Sequence, residues 1–175
     1  GDLLVSYRRV DPATGQWNGE VLRSLDGGLT WSPPIYRTVS TRPDDPPGFF
    51  PYSGMAQLRD GTILLPCMGS NRGVFLFRSE DNGESWDGPD RVGEGLDGVE
   101  DWHGMHPYGK VRILTDGTVI MPVAGQIRDS GQHLTGHMRS SDDGRTWDEF
   151  VVLATGPVNC NDTIELPDGR LLAMV

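Results

Sequence analysis

The octet Ser79–Trp86, which reads SEDNGESW, decides the fold of this chain because it occurs three times. SLDGGLTW occupies residues 24–31 and SSDDGRTW occupies residues 140–147, and all three copies fit S-x-D-x-G-x-[ST]-W. The copies begin 55 and 61 residues apart. A motif that returns at such intervals indicates a repeat architecture.

A second motif recurs in step with the octets. Residues 57–66 read QLRDGTILLP, residues 113–122 read ILTDGTVIMP, and residues 165–173 read ELPDGRLLA. Each copy places an Asp-Gly pair before a short apolar run. A tight hairpin turn needs a positive φ that glycine adopts easily, so these pairs predict β-hairpins.

The apolar runs are short and rich in β-formers, and no window of helical length keeps a 3.6-residue period without Gly or Pro. The chain is therefore predicted to be all-β. In the middle repeat we expect strand A at about 53–59, strand B at about 62–68, strand C at about 74–79, and strand D from Trp86 onward. Four antiparallel strands in 50–60 residues are typical of one propeller blade.

The octet is predicted to be a structural turn. Its Asp can accept backbone N–H groups of the same turn, its Ser hydroxyl adds a bond, its Gly takes the left-handed conformation, and its Trp packs on the hairpin. None of the copies offers the calcium-loop pattern of an EF-hand. The predicted structural residues are Ser24, Asp26, Gly28, Trp31, Ser79, Asp81, Gly83, Trp86, Ser140, Asp142, Gly144 and Trp147.

Composition excludes several classes of function. The 175 residues carry a formal charge of −10 and include 24 Gly and 13 Pro. Such acidity argues against nucleic acid as a partner. No apolar run is long enough to span a bilayer.

No metal or cofactor is expected. His133 and His137 have a spacing that suits zinc on a helix, but here they fall on a loop and strand. Cys67 and Cys160 are interpreted as two half-buried thiols, and the alternative is one disulfide between them.

The octet resembles the Asp-box, or BNR repeat, of the sialidase (neuraminidase) superfamily, and the resemblance covers essentially the whole chain. It implies about three blades of a six-bladed β-propeller. The expected division is a blade remainder at 1–40, blades at 41–95 and 96–155, and the start of another blade at 156–175. We therefore expect a fragment whose partners include the remaining blades of a longer chain, and which exposes two blade interfaces.

Connectivity predicts where a site would lie. The Asp-Gly turns and the octets should share one end of the blades, so the longer loops at the other end should line the pocket. Arg8 lies where the first strand B should end. The segment from Trp102 to Tyr108 precedes the third strand A, and its His106 and Tyr108 are predicted sugar contacts or, alternatively, parts of a packed loop between blades. Arg42 and Asp45 lie on a stiff connection, with a pocket role as the alternative.

The resemblance implies roles for particular residues. Arg8 matches an Arg that would help to bind the carboxylate of sialic acid, and Asp11 is the candidate acid/base. Asp162 is a candidate catalytic residue at a position where the family has Glu, whose side chain is one methylene longer, and the neighbouring Asn161 is a candidate substrate contact. Arg23, Arg78 and Arg139 each precede an octet and are expected to be structural.

The leading hypothesis is an exo-α-sialidase that removes terminal sialic acid from a glycan substrate, without a cofactor. The alternatives are another glycosidase on the same scaffold and a non-catalytic propeller that binds carbohydrate or protein. A secreted or periplasmic location follows from the resemblance alone.

Overall fold

A computed structural model describes residues 1–15, 17–38, 48–69, 73–93, 102–127, 129–156 and 162–175, with only the backbone described at 102–104. These residues form antiparallel sheets joined by tight turns, and no helix occurs among them. The all-β prediction is confirmed.

The first two sheets lie at the N-terminal end of the chain. Sheet 1 has the strand order β1-β2-β3, and sheet 2 has the order β4-β7-β8-β9, with β6 also paired to β7. The strands of this part of the chain are β1 (Leu3–Val10), β2 (Trp17–Ser24), β3 (Tyr36–Arg37), β4 (Phe49–Pro51), β5 (Ser53–Gly54), β6 (Ala56–Gln57), β7 (Ile63–Gly69), β8 (Val74–Ser79) and β9 (Asp87–Arg91), of which β5 belongs to neither sheet.

Sheet 3 repeats the plan of sheet 2, and a two-stranded sheet 4 follows it. Sheet 3 has the order β10-β13-β14-β15, with β12 also paired to β13. The strands are β10 (Trp102–Pro107), β11 (Gly109–Lys110), β12 (Arg112–Ile113), β13 (Val119–Ile127), β14 (His133–Ser140), β15 (Glu149–Thr155), β16 (Asp162–Glu165) and β17 (Leu171–Met174).

Strand A of the middle repeat is interrupted, which differs from the single strand predicted at 53–59. β4 and β6 both pair with β7, whereas β5 between them pairs in parallel with β11 of the next repeat. The Ser53 hydroxyl donates to the Gly109 carbonyl oxygen at 2.5 Å. The innermost strands of neighbouring sheets are therefore joined directly by backbone pairing.

Sheet 2 buries apolar side chains on both faces. Leu64, Val74 and Leu76 belong to a core shared with sheet 3, whose members include Met121 and Met138. Successive strand residues point to opposite faces, so the neighbours of these residues belong to another core. That second core, shared with sheet 1, contains Val21, Phe49, Leu65, Cys67, Phe75 and Phe77. Two-sided burial explains the unbroken apolar runs of this repeat.

The octet closes on itself through its own polar side chains, as predicted. Asp81 Oδ1 accepts the Ser85 N–H at 2.8 Å and the Ser79 hydroxyl at 2.9 Å. The Ser79 hydroxyl oxygen accepts the Gly83 N–H at 2.7 Å, and Gly83 has φ of 87°. The other two octets repeat these bonds.

The octet tryptophans differ from one another. Trp86 Nε1 donates to the Gly83 carbonyl oxygen at 3.2 Å, and its ring stacks on Tyr36 of sheet 1 at 5.3 Å between centroids. The Trp147 ring packs on the core shared by sheets 2 and 3, but its buried Nε1 has no acceptor among the described residues. The predicted indole partner is thus found for Trp86 and not for Trp147.

Two of the arginines that precede an octet, Arg23 and Arg78, contact the next octet along the chain. Arg23 Nη2 donates to the Asn82 carbonyl oxygen at 2.5 Å, and Arg23 also pairs with Glu84. Arg78 Nη1 donates to the Asp143 carbonyl oxygen at 3.0 Å, and its Nη2 donates to the Gly144 carbonyl oxygen. These contacts confirm the structural role predicted for Arg23 and Arg78.

Replacing Arg78 with Ala should destabilise the protein, because it removes two hydrogen bonds between sheets 2 and 3 and leaves their carbonyl acceptors unpaired. We expect a loss of roughly 1–3 kcal/mol in the free energy of unfolding, measured by denaturant unfolding monitored by circular dichroism. Arg170→Ala is the control, because that side chain is 77% exposed and pairs with Asp168 within its own turn. Equal unfolding free energies for the two variants would contradict the link between sheets.

The octet aspartates should also make stability depend on pH. Hydrogen bonds from the Ser85 hydroxyl and N–H lower the pKa of Asp81 to about 2, from its ordinary value of 3.8. Because the folded-state pKa is depressed, this stabilisation is present above about pH 4 and is lost as the pH falls toward 2.

Asp81→Asn should therefore lower the thermal midpoint at pH 7 and flatten the fall of that midpoint between pH 4 and pH 2. Scanning calorimetry across this range measures both effects. Asp148→Asn removes the same charge from an exposed position beside the third octet and serves as the control. If the thermal midpoint of Asp81→Asn falls between pH 4 and pH 2 as steeply as that of the wild type, the lowered pKa of Asp81 does not stabilise the fold.

Candidate functional site

The ends of the strands are arranged as the connectivity predicted. Ile63 pairs with Ser79, so the Asp-Gly turn and the octet of sheet 2 lie at the same end, and Met68 pairs with Val74 at the other end. Sheets 1 and 3 have the same arrangement. Arg8 lies in the last part of β1, away from the octet.

Arg8 is positioned by aromatic rings from two sheets. Its guanidinium carbon lies 4.8 Å from the centroid of Trp17 and 5.5 Å from that of Tyr52. Its Nη1 is 3.5 Å from the Tyr52 hydroxyl oxygen. Such cation–π contacts hold the guanidinium against the ring faces while its N–H groups remain available.

Gly19 is the local reason that Arg8 reaches Tyr52. Gly19 is the cross-strand partner of Arg8, and a Cβ there would lie 2.6 Å from Pro51 Cδ and 2.9 Å from Thr38 Oγ1. Any larger residue would push sheet 1 away from β4. The missing side chain therefore allows the close approach that places Arg8 beside Tyr52.

Tyr52 joins Arg8 to the two predicted sugar contacts. Its ring centroid lies 5.4 Å from that of His106 and 5.7 Å from that of Tyr108, and these two rings are 5.6 Å apart. Sheets 1, 2 and 3 thus each contribute a side chain to one group. We define the Arg8 cleft as the space of about 350 Å³ lined by Arg8, Pro51, Tyr52 and Tyr108.

Trp17 and Tyr52 are two site residues that the sequence motifs did not predict. Trp17 begins β2 and Tyr52 follows β4, both at the end that connectivity assigns to the pocket, so their position was a usable signal. Their contribution depends on a contact between sheets that no motif encodes. Arg42 and Asp45 lie outside the described residues, as does Asn161.

The two predicted catalytic carboxylates, Asp11 and Asp162, are not among the described residues that line the Arg8 cleft. Asp11 follows β1, and its Oδ1 accepts the Ala13 N–H at 2.8 Å. Asp162 begins β16, and both of its carboxylate oxygens lie 3.2 Å from Arg112 Nη2. Their catalytic roles remain predictions.

A second cleft lies beside Asp11. We define the Glu20 cleft as the space of about 240 Å³ lined by Arg9, Asp11, Pro12, Asn18, Glu20 and Arg37. Tyr7 donates a hydrogen bond to Glu20, and this bond is the main cause of the raised pKa of Tyr7. The pKa of Glu20 is lowered, because bonds from Tyr7 and Arg37 and the charge of Arg9 outweigh the effect of its burial.

The histidines with zinc-like spacing are engaged elsewhere. His133 Nε2 lies 2.6 Å from Gln126 Nε2, and His137 Nε2 lies 2.7 Å from the Thr163 hydroxyl oxygen. Within the described ranges, no group of three or more His, Cys, Asp or Glu is placed to hold a metal ion. The same ranges contain no helix with the length and apolar character that a membrane span requires.

Solved structures resemble the chain over nearly its whole length. A protein of unknown function from Dyadobacter fermentans covers 99% of it, with a TM-score of 0.76 and 21% identity. An α-L-arabinanase of Penicillium chrysogenum complexed with arabinobiose covers 98%, with a TM-score of 0.73 and 21% identity. The Trypanosoma rangeli sialidase in complex with the inhibitor DANA covers 99%, with a TM-score of 0.71 and 18% identity.

The chain spans only part of each of these proteins: 58% of the Dyadobacter protein, 52% of the arabinanase and 32% of the sialidase. Identities this low establish the fold alone. The TM-scores confirm the sialidase-type β-propeller fold that the octets predicted.

A comparison with curated proteins returned no match. The family model described as a BNR repeat-like domain matches residues 1–175. With this match along its entire length, the chain belongs to the BNR repeat-like domain family.

Proposed function

We propose that the full-length protein is a glycoside hydrolase of the exo-α-sialidase type, which removes terminal sialic acid from glycoconjugates. The observation that carries the proposal is Arg8, held between Trp17 and Tyr52 at the mouth of a cleft that also contains Tyr108. The sialidase-type fold supports a glycosidase, because similar structures include a sialidase and an arabinanase.

Arg8 has the chemistry that recognition of sialic acid requires. A guanidinium binds a planar carboxylate through two parallel hydrogen bonds and stays charged at any working pH. Among the described residues, Arg8 makes one long hydrogen bond, to the Tyr52 hydroxyl. Most of its five N–H donors therefore remain available for a substrate carboxylate.

The surrounding rings suit the remainder of a sugar. Tyr52 and Tyr108 offer apolar ring faces beside phenolic oxygens, and His106 adds ring nitrogens. Binding sites combine apolar walls with a few polar groups in this way, and 350 Å³ lies at the lower end of the usual range. In this proposal Tyr52 and Tyr108 pack on the sugar ring while Arg8 holds its carboxylate.

The catalytic carboxylates belong to the same proposal. Sialidases depart from the two-carboxylate scheme of most glycosidases by using a tyrosine nucleophile. Asp11 would transfer the proton, and Asp162 would occupy the position of the family's Glu. The ion pair with Arg112 orients the Asp162 carboxylate, which suits a group that activates another.

A second candidate is a glycosidase for uncharged sugars. Arg8 is the one arginine that lines the cleft among the described residues, and the rest of the lining is Pro51, Tyr52 and Tyr108. Aromatic walls of this kind bind neutral sugars without a carboxylate. The shorter Asp162 also favours a substrate geometry other than that of the sialidases.

Arg8→Ala in the full-length protein should reduce kcat/KM for a fluorogenic aryl sialoside by about 100-fold or more, because the substrate carboxylate loses its charged partner. Arg8→Lys should recover part of this loss, since it keeps the charge without the planar fork. Initial-rate assays measure both effects. Arg145→Ala, an exposed change in the third octet, is the control.

The same assay on a panel of aryl glycosides separates the candidates. Turnover of sialosides by the Arg8→Ala variant at the wild-type rate would refute the role of Arg8. Hydrolysis of an aryl arabinoside with no sialoside turnover would favour the second candidate. Sugar binding without hydrolysis of any glycoside would indicate a non-catalytic propeller.

A further inference from the structure

One contact between sheets 3 and 4 departs from the pattern of the other repeats. The residue two positions before the octet arginine is Val21 in sheet 1 and Leu76 in sheet 2. Both are buried in the cores that join neighbouring sheets. The same position in sheet 3 is His137. The third repeat therefore places an imidazole where the other two place an aliphatic side chain.

The residue on the facing strand departs in the same way. Six positions before the glycine of the Asp-Gly turn, the chain has Met55 in sheet 2 and Val111 in sheet 3. Met55 packs in the core of Val21, and Val111 packs in the core of Leu76. The same position in sheet 4 is Thr163. A place that is apolar on both sides of the first two interfaces is thus polar on both sides of the third.

His137 and Thr163 form a buried hydrogen bond. His137 Nε2 lies 2.7 Å from the Thr163 hydroxyl oxygen, and the two residues are 3% and 1% exposed. Burial of an imidazole and a hydroxyl is tolerated because the two groups bond each other, but it forgoes the hydrophobic stabilisation that two apolar side chains give. Packing alone would therefore favour the apolar residues of the other repeats.

The polar pair lies directly beside Asp162. The Thr163 N–H donates to Asp162 Oδ1 at 2.9 Å, and Arg112 Nη2 lies 3.2 Å from both carboxylate oxygens. The carboxylate is thus bonded to the backbone of the residue whose hydroxyl meets His137. Because Asp162 and Thr163 begin β16, the bond from His137 fixes the part of the strand that carries the carboxylate.

The short side chain of Asp162 makes the position of this strand important. A single methylene joins its carboxylate to the backbone, so rotation of the side chain moves the oxygens over a shorter distance than in Glu. A displacement of β16 is therefore passed on to the carboxylate. Reacting groups must be held within a fraction of an ångström by side chains that are themselves fixed.

We infer that His137 is a positioning residue for the proposed hydrolysis: through Thr163 it holds the start of β16 where the Asp162 carboxylate can act. The inference rests on the proposed function, because it requires the catalytic role proposed for Asp162. His137 lies buried between sheets 3 and 4 and acts only through Thr163.

Initial-rate kinetics of the full-length protein on a fluorogenic aryl sialoside test the inference. Thr163→Val removes the hydroxyl but keeps the shape of the side chain, and it should lower kcat by about tenfold or more, because reacting groups tolerate little displacement. KM should stay within about twofold of the wild-type value, since Arg8 binds the substrate from sheet 1. Thr163→Ser keeps the hydroxyl and should retain most of the wild-type kcat.

The same contrast applies to His137. His137→Leu introduces the residue type that sheet 2 has at this position, and it should lower kcat as Thr163→Val does. His137→Gln keeps a polar group that can meet the Thr163 hydroxyl, so it should retain more of the wild-type kcat than His137→Leu.

Thr115→Val is the matched control. The Thr115 hydroxyl donates to Glu165 Oε2 at 2.6 Å, so it also links sheets 3 and 4, but at the Asp-Gly turn and away from Asp162. Thr115→Val removes the same group as Thr163→Val and should leave kcat unchanged. Circular dichroism melts establish that each variant is folded and separate a loss of stability from a loss of kcat.

Crystal structures of the wild type and of Thr163→Val test the positioning without an assay. The distance from Arg112 Nη2 to the Asp162 carboxylate should rise from 3.2 Å to more than about 4 Å, the limit of an ion pair. If the wild type hydrolyses no sialoside, the proposed function is refuted, and these two structures alone then decide the inference.

An Asp162 carboxylate that stays within about 4 Å of Arg112 in Thr163→Val would overturn the inference, whatever the rates. With an active wild type, it would equally be overturned by a kcat that Thr163→Val leaves unchanged or that Thr115→Val lowers to the same extent.

Discussion

The two-sided burial of sheet 2 is the constraint on which the rest of the structure depends. Leu64 and Leu76 pack toward sheet 3, while Leu65 and Phe77 pack toward sheet 1. A sheet with two apolar faces is stable only between two neighbours, since each large apolar side chain left in water forgoes about 1.5–3 kcal/mol. The neighbouring sheets must therefore stack on it, and the polar links form around that stack.

The octets and the Asp-Gly turns of successive sheets are linked to one another by polar contacts at one end of the sheets. Arg23 and Arg78 connect successive octets, and Arg59 donates to the Thr115 carbonyl oxygen of the next Asp-Gly turn at 2.7 Å. Thr115 in turn donates to Glu165 at 2.8 Å. A rigid frame at one end lets the loops of the opposite end carry different side chains without loss of the fold.

The sheet pleat then sorts consecutive residues into two chemical environments. Arg8 and Arg9 are adjacent in the sequence, yet Arg8 meets the rings of Trp17 and Tyr52 while Arg9 pairs with the buried Glu20. The structural octets were predictable because their bonds join residues only two to four positions apart. The role of Tyr52 could not be predicted from the sequence, because it depends on how closely Gly19 allows sheets 1 and 2 to approach each other.

The amino-acid sequence by itself determined the class of fold, the positions of the hairpin turns, the structural role of the octets and the end at which Arg8 lies. These features follow from local spacing and from the two-residue period of strands. Tertiary structure alone decided that strand A is interrupted, that Tyr52 joins Arg8 to His106 and Tyr108, and that Glu20 lies buried between two arginines. Those outcomes depend on the distances between sheets. Side-chain volumes determine these distances, and no short sequence motif predicts them.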